Sequence, residues 1–299
     1  MNATRTASRA AWARRRASAA AGWTQFRSNK AGLSGMIVLL IVVALALLAP
    51  VLAPESTLDV TRLDSLQNEP PSLANPLGTD PSGRSVLAML LWGARVSLVV
   101  GFAATAVSMV IGTVVGMAAG HFSGAIQAVL MRIIDFFLVV PSLVLAIVLS
   151  SILGAGVITI VAAIGITSWA STARLVRAQT LTIESRPYID RSWALGAGDA
   201  HIIGRHVLPA VLPLVLANTT LTVGSAIIAE STLSFLGLGD STSISWGTML
   251  KSALDTGAAT AGFWWFVLPP GVAIVIVVLC FTLVGRALES VVNPTLRGR

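Results

Sequence analysis

The chain has 299 residues, of which 55 % are hydrophobic and only 11 % charged, whereas soluble domains usually carry about 25 % charged residues; a soluble globule is excluded and a membrane protein is expected. The net charge of +7 would suit a nucleic-acid partner, but the bases are not interleaved with aromatics and instead flank apolar blocks, as cytoplasmic membrane flanks do. The single cysteine, Cys280, lies inside an apolar run, which excludes an intramolecular disulfide framework and a cysteine-based metal site.

Residues 1–35 hold Arg5, Arg9, Arg14, Arg15, Arg16, Arg27 and Lys30 and no acid, the pattern of a cytoplasmic arm. The apolar run 36–53 follows. Its near-span length, the long basic region before it and the five further apolar blocks behind it favour an uncleaved first transmembrane helix over a signal peptide. Residues 54–80 are polar and proline-rich, with Glu55, Asp59, Asp64, Glu69 and Asp80 against one arginine, and read as an external loop. Asp80 and Pro81 suit an N-cap and first turn. They introduce an amphipathic helix up to residue 95, with Val86, Leu87, Leu90 and Leu91 as its apolar face, lying on the outer surface. The loop with this helix is thus 54–95.

The remaining core, 96–288, contains five further spans, beginning with 96–119. The next is 133–153, with Pro141 in mid-run, which spans tolerate when neighbours satisfy the freed carbonyl. Then come 157–173, 208–235 with Pro209 and Pro213 near its start, and 263–284. Residues 289–299 form a short tail. Six spans with both ends inside place 16 bases and 5 acids on the inner segments, against 4 bases and 8 acids outside, the asymmetry the positive-inside rule demands.

Between the fourth and fifth spans lies a polar interruption, residues 186–209, RPYIDRSWALGAGDAHIIGRHVLP. Pro187 suits a first helical turn, Ile189 and Trp193 share a face at i and i+4, and Gly196 supplies a left-handed stop. Asp199 is a suitable N-cap for a second short helix running into Ile202 and Ile203. The charge count puts this knob in the cytoplasm.

No lysine follows a glycine as the phosphate-cradling GxxxxGK[ST] loop requires, because Lys30 follows Asn29 and Lys251 follows Leu250; the chain is no such ATPase by itself. His121, His201 and His206 make no i, i+3 or i+4 pair and no HExxH, so no metal site is expected. GxGD occurs at residues 196–199 and 237–240 and resembles the signature of intramembrane aspartyl proteases, which need two carboxylates close enough to share a proton. Asp190 and Asp199 fall inside and Asp240 outside, so glycine turns beside caps are the expected reading. Of the acids near spans, Asp135 has Arg132 three residues before it, which predicts a local helix pair. Glu230 falls in the last turns of the fifth span, either within the bundle or at the water interface.

The polar interruption resembles the "EAA" loop of bacterial ABC importer permeases: Asp190, Gly196, Leu208 and Pro209 fall on that pattern's acid, glycine and Leu-Pro positions, with Asp190-Arg191-Ser192 in place of the EAA triplet. NPLGTDPSGRSVLAMLLWGARVSL at 75–98, ESTLSFLGLG at 230–239, SWGTML at 245–250 and the pair Asn293-Pro294 resemble the second permease (C subunit type) of dipeptide and oligopeptide importers. Ser85 stands where that family usually has an acid and Asn293 where it has Asp. The resemblance implies an all-α integral membrane protein with six transmembrane helices of the ABC importer permease type. It further implies ATP-driven peptide import across the bacterial inner membrane, with nickel chelates, haem or another small solute as alternative cargo. The knob becomes a coupling helix, with Asp190, Arg191, Ser192, Ala194, Leu195, Gly196 and Asp199 toward an ATPase and Glu230 at a gate or outer-side contact. The implied partners are a homologous second permease, two ABC ATPase subunits that bind ATP and Mg2+, and an extracytoplasmic substrate-binding protein. No cofactor, catalytic residue or metal is expected in this chain, and its translocation path is not assigned.

Overall fold

The computed structural model describes residues 20–62, 66–240 and 242–292. The basic residues from Arg5 to Arg16, together with Asp64, Asn293, Pro294, Arg297 and Arg299, lie outside them. The described residues are helical apart from turns and one isolated bridge between Thr79 and Ser85.

Helix α1, residues 20–28, runs into α2, Lys30–Leu52. Asn29 separates the two by capping: its side chain accepts from the Gly32 N–H at 2.9 Å, satisfying one orphan donor of the new helix. The first span therefore starts at Lys30, six residues before the apolar run.

Helix α3, Val86–His121, is unbroken, so the amphipathic segment and the second span are one rod and no separate surface helix forms. At 1.5 Å per residue it is about 54 Å long, well beyond a ~30 Å hydrocarbon core. Nothing between residues 86 and 121 breaks it, for that stretch has no proline and no acid. Asp80 does not cap it, contrary to expectation. Its buried carboxylate accepts instead from the N–H groups of Ser82 and Arg84 and pairs with the Arg84 guanidinium at 2.7 Å, closing a tight turn in which Gly83 has φ +83°; Ser85 takes the N-cap position. Trp92 then ties α3 to the end of α2 by donating its indole N–H to Ala53 O at 2.9 Å.

The third apolar block is not one rod. Helices α4, Ala125–Val139, and α5, Ser142–Leu153, meet at 89° across Val140 and Pro141, because Pro141 lacks the N–H that would continue α4 and its ring excludes the preceding carbonyl. The fourth block continues past residue 173: α6, Val157–Thr167, and α7, Ala170–Glu184, meet at 41°. Next come the short helices α8, Pro187–Ala194, and α9, Asp199–Ile202, a widened turn at Ile203–Val207, and α10, Leu208–Phe235. The wide turn shows in Leu208, whose N–H donates to Ile203 O, five residues back. The connection from α10 to the last helix contains a helix that the hydrophobic pattern did not mark, α11, Trp246–Asp255, with a reciprocal capping box between Ser245 and Thr248. The last helix, α12, Trp264–Val292, runs eight residues beyond the expected span. Among the described residues, four helical rods are long and apolar enough to cross a bilayer, and up to six if each bent pair is one span.

Helix α3 is the axis of the bundle, packed against α2, α6, α7 and α10, while α12 closes the far side against α2 and α10. The half of α3 nearer the knob carries glycines every fourth residue facing α7. A Cβ on Gly112 would lie 2.8 Å from Trp169 O, and one on Gly116 2.5 Å from Ala173 O. This is the small-residue seam by which membrane helices gain dispersion contacts that lipid cannot match. The opposite faces of the outer helices present leucine and valine, such as Leu47 and Val51 of α2, to the surroundings, as lipid-facing helices do.

Candidate functional site

The knob consists of α8 and α9 joined at a glycine. Pro187 occupies the first turn of α8, and Gly196 adopts φ +84°, the left-handed stop its position predicts. Gly196 N–H closes onto Trp193 O and Ala197 N–H onto Ser192 O, which is how a helix ends without orphaned carbonyls. The knob has an apolar underside. Ile189 from α8 and Ile202 from α9 are 1 % and 0 % exposed and pack in one cluster with Met117 of α3, Val176 and Ile183 of α7 and Val211 of α10. Burying two isoleucines is worth roughly 3–6 kcal/mol, which fixes the knob to one end of α3, α7 and α10.

Its other face is solvent-exposed. Leu195 is 88 % exposed at the tip, and Asp190, Arg191, Ala194, Gly196 and Asp199 are exposed around it, with Ser192 half-buried. Trp193 does not share the buried face of Ile189; it is 42 % exposed and stacks on His121, ring centroids 6.1 Å apart. Asp199 is not the N-cap of α9 either. Gly198 occupies that position without a side-chain bond, and the Asp199 carboxylate turns to His121.

His121, the last residue of α3, holds the two parts together, and sequence reasoning, which tested it only as a metal ligand, missed it. Its Nδ1 lies 2.5 Å from Glu184 Oε1 at the end of α7, and its Nε2 lies 3.3 Å from Asp199 Oδ1. The ring therefore joins the axial helix, its glycine-seam partner and the knob. The wide turn before α10 places His206 beside His201, centroids 5.6 Å apart, and within 3.4 Å of Ser192 Oγ, which braces α8 from behind.

At the end of the bundle away from the knob, Glu230 lies within the bundle and not at the water interface: it is 1 % exposed. Its Oε2 accepts from Ser97 Oγ of α3 at 2.9 Å and from Ser231 Oγ at 3.2 Å, and its Oε1 from Ser234 Oγ at 2.9 Å. Ser97 Oγ also accepts from the Trp246 N–H at 3.3 Å, and the Trp246 indole donates to Leu90 O. One carboxylate thus pins α3, α10 and α11 together.

Asp135 pairs with Arg174 of α7 at 2.6 Å, not with Arg132. Both groups are exposed, so the bridge contributes little to stability. The aspartates of the two GxGD stretches are far apart, because the 28 residues of α10, about 42 Å of helix, separate Asp199 from Asp240. Asp240 caps its own loop: the Thr242 hydroxyl, and then its N–H, donate to the carboxylate and hold it below the ordinary aspartate range. No aspartyl hydrolase can be assembled from such a pair.

The knob is thus exposed on one face, internally braced on the other, and set at one end of a bundle of long and bent helices. Residues 112–298 match the family described as "Binding-protein-dependent transport system inner membrane component", and residues 20–71 match the N-terminal TM domain of oligopeptide transport permease C. The chain belongs to the family of binding-protein-dependent transport system inner membrane components. It is 36 % identical over 276 residues to the dipeptide transport system permease protein DppC of Bacillus subtilis (strain 168), covering 92 % of this chain and 85 % of that protein. With the oligopeptide transport system permease protein OppC of the same organism it shares 36 % identity over 276 residues, 91 % of this chain and 88 % of that protein. A chain of the MetNI methionine ABC transporter in inward-facing conformations superposes with a TM-score of 0.55 at 21 % identity, covering 68 % of this chain and 96 % of that one. The last likeness concerns the fold alone.

Proposed function

We propose that this chain is one permease of an ATP-driven importer that carries dipeptides or oligopeptides across the bacterial inner membrane, with both termini in the cytoplasm. The observation that carries this reading is the two-faced knob, whose isoleucines are sunk into the bundle while Leu195, Asp190 and Arg191 stand free. An exposed apolar tip on a rigid helix pair suits the helix-in-groove mode of recognition. The partner is an ABC ATPase pair, which binds ATP and Mg2+ on its own chains. A homologous second permease completes the pathway and an extracytoplasmic protein delivers the peptide. The peptide cargo rests on the relatives and on the motifs at 75–98 and 230–239.

In this mechanism the ATPases close on ATP and push the knob. Ile189 and Ile202 move with Met117, Val176 and Val211, and His121 passes the displacement to α3 and α7 through side chains that are already bonded. Bends at Val140–Pro141 and Ser168–Trp169 let the half-helices reorient without breaking the long rods, so the bundle has two packings instead of a continuum. The test is uptake of a labelled dipeptide by the complete complex in proteoliposomes, together with copurification of the ATPases. Leu195→Asp is expected to abolish both copurification and uptake while the chain still inserts. Normal uptake by that variant would remove the coupling assignment.

A further inference from the structure

Both helix breaks open onto one cavity. A chamber of about 80 Å³ between α3, α5, α6 and α10 shares Ser142, Thr167, Ser168, Thr222 and Ser225 with a larger, more open one of about 420 Å³, within the usual ~300–1,000 Å³ range for ligand sites. Among the described residues, no Asp, Glu, Lys or Arg lines either chamber. The lining hydroxyls differ in how they are bonded. Those of Thr167 and Thr222 donate to the carbonyl four residues back, the ordinary arrangement for such side chains in an apolar helix. Thr105 Oγ1 and Ser108 Oγ, one turn apart on α3 and each 1 % exposed, have no partner among the described residues; Thr113 Oγ1 and Ser150 Oγ share that state but do not line either chamber. In a buried site each such hydroxyl costs free energy until something bonds to it. The N-terminus of α5 adds further donors, because the N–H groups of Ser142 and Leu143, both in the lining, precede the first intrahelical acceptors.

We propose that this cavity holds the main chain of the transported peptide: its carbonyls and carboxylate take donors from Thr105, Ser108 and the start of α5, and its amides take the hydroxyl oxygens of Ser142 and Ser225. The proposal rests on the importer reading above and deepens it by assigning this chain's share of the path. Uncharged donors and acceptors fit a backbone of any sequence, while a fixed charge would select among peptides. The discontinuous helices serve the same end, since a half-helix start offers N–H groups at membrane depth that a continuous span keeps bonded.

The experiment uses the complete complex in proteoliposomes with tri-alanine as probe. Thr105→Val and Ser108→Ala are each expected to lower tri-alanine uptake roughly 5-fold, and together roughly 30-fold, the loss of one and of two neutral hydrogen bonds, at an unchanged rate of ATP hydrolysis. The thermal midpoint of these variants should hold or rise, because the hydroxyls have no partner to lose; a clear fall would make them structural and overturn the proposal. In a Cys280→Ser background, Ser225→Cys should be modified by a small maleimide and protected by tri-alanine during turnover, while Val275→Cys on α12 is indifferent to peptide. Undiminished uptake in the double variant, or a Ser225→Cys site shielded by the second permease whether or not peptide is present, counts against the cavity. Failure of the unaltered complex to take up tri-alanine counts against the importer reading instead.

Discussion

His121 Nε2 stands 3.3 Å from Asp199 Oδ1, so the end of the longest helix and the start of the second knob helix are joined by a single side chain. The ring is 3 % exposed and its other nitrogen is held by Glu184, which leaves it little freedom to follow the knob without moving α3. His121→Ala removes both bonds and the surface on which Trp193 stacks. Hydrogen bonds to charged groups contribute about 1.5–3 kcal/mol each, enough to disconnect a coupling element whose two states differ by a few kcal/mol. The ATPases should still copurify, since Leu195 is untouched, but peptide uptake per ATP hydrolysed should fall about tenfold. An unchanged ratio in proteoliposomes would show that the isoleucine contacts alone transmit the motion.

Gly196 separates backbone conformation from crowding. A Cβ there meets nothing within 4 Å, yet φ is +84°. Gly196→Ala should therefore cost only the left-handed penalty, about 1–2 kcal/mol, and leave a complex that assembles and transports more slowly. Gly196→Pro cannot adopt that φ at all, so it should abolish ATPase copurification while protease protection of the spans stays normal. Equal behaviour of the two variants would contradict the geometry.

Much of the knob's geometry was legible because its signals are local. Pro187 in the first turn and Gly196 at the stop act within one helical turn. Where a residue's partner comes from another helix, the sequence misleads or is silent. Asp135 took Arg174 and not the neighbouring Arg132, Asp199 took His121 and not its own helix start, and Glu230 found its serine on α3, 133 positions away. Pro141 was visible, but its 89° consequence depends on which neighbours fill the space that the bend opens. The outer helix α11 had a readable Ser245 and Thr248 capping box, overlooked because the surrounding residues do not form an apolar span.

The glycine seam between α3 and α7 makes a prediction about assembly. Gly116→Val places a branched side chain where a Cβ already lies 2.5 Å from Ala173 O, and backbone cannot step aside as a side-chain tip can. Overpacking of this kind costs about 1–3 kcal/mol. The purified variant should melt several degrees lower and lose the His121–Glu184 alignment at the inner end of the same seam. Gly124→Ala is a weak control for this: its Cβ meets nothing, although its φ of +69° carries its own strain. A melting temperature for Gly116→Val equal to that of the unaltered chain would mean that α3 and α7 are not in contact at that depth.

Glu230 offers the sharpest contrast between two substitutions at one position. Three serine hydroxyls donate to its carboxylate, and among the described residues no cation forms a salt bridge with it. Glu230→Gln keeps the size, one acceptor and a polar tip within reach of Ser97 and Ser234, whose hydroxyls can rotate to accept or donate. It should stay close to the parent in thermal stability. Glu230→Ala leaves a cavity at the junction of α3, α10 and α11 and strands Ser97, whose oxygen also receives the Trp246 N–H. That loss should cost about 1–3 kcal/mol and loosen α11, which intrinsic fluorescence of Trp246, in a background lacking the other tryptophans, would report as a red shift. If Glu230→Ala melts and fluoresces as Glu230→Gln does, the carboxylate does not hold the outer end together, and its burial has to be explained by a role in the transport cycle itself.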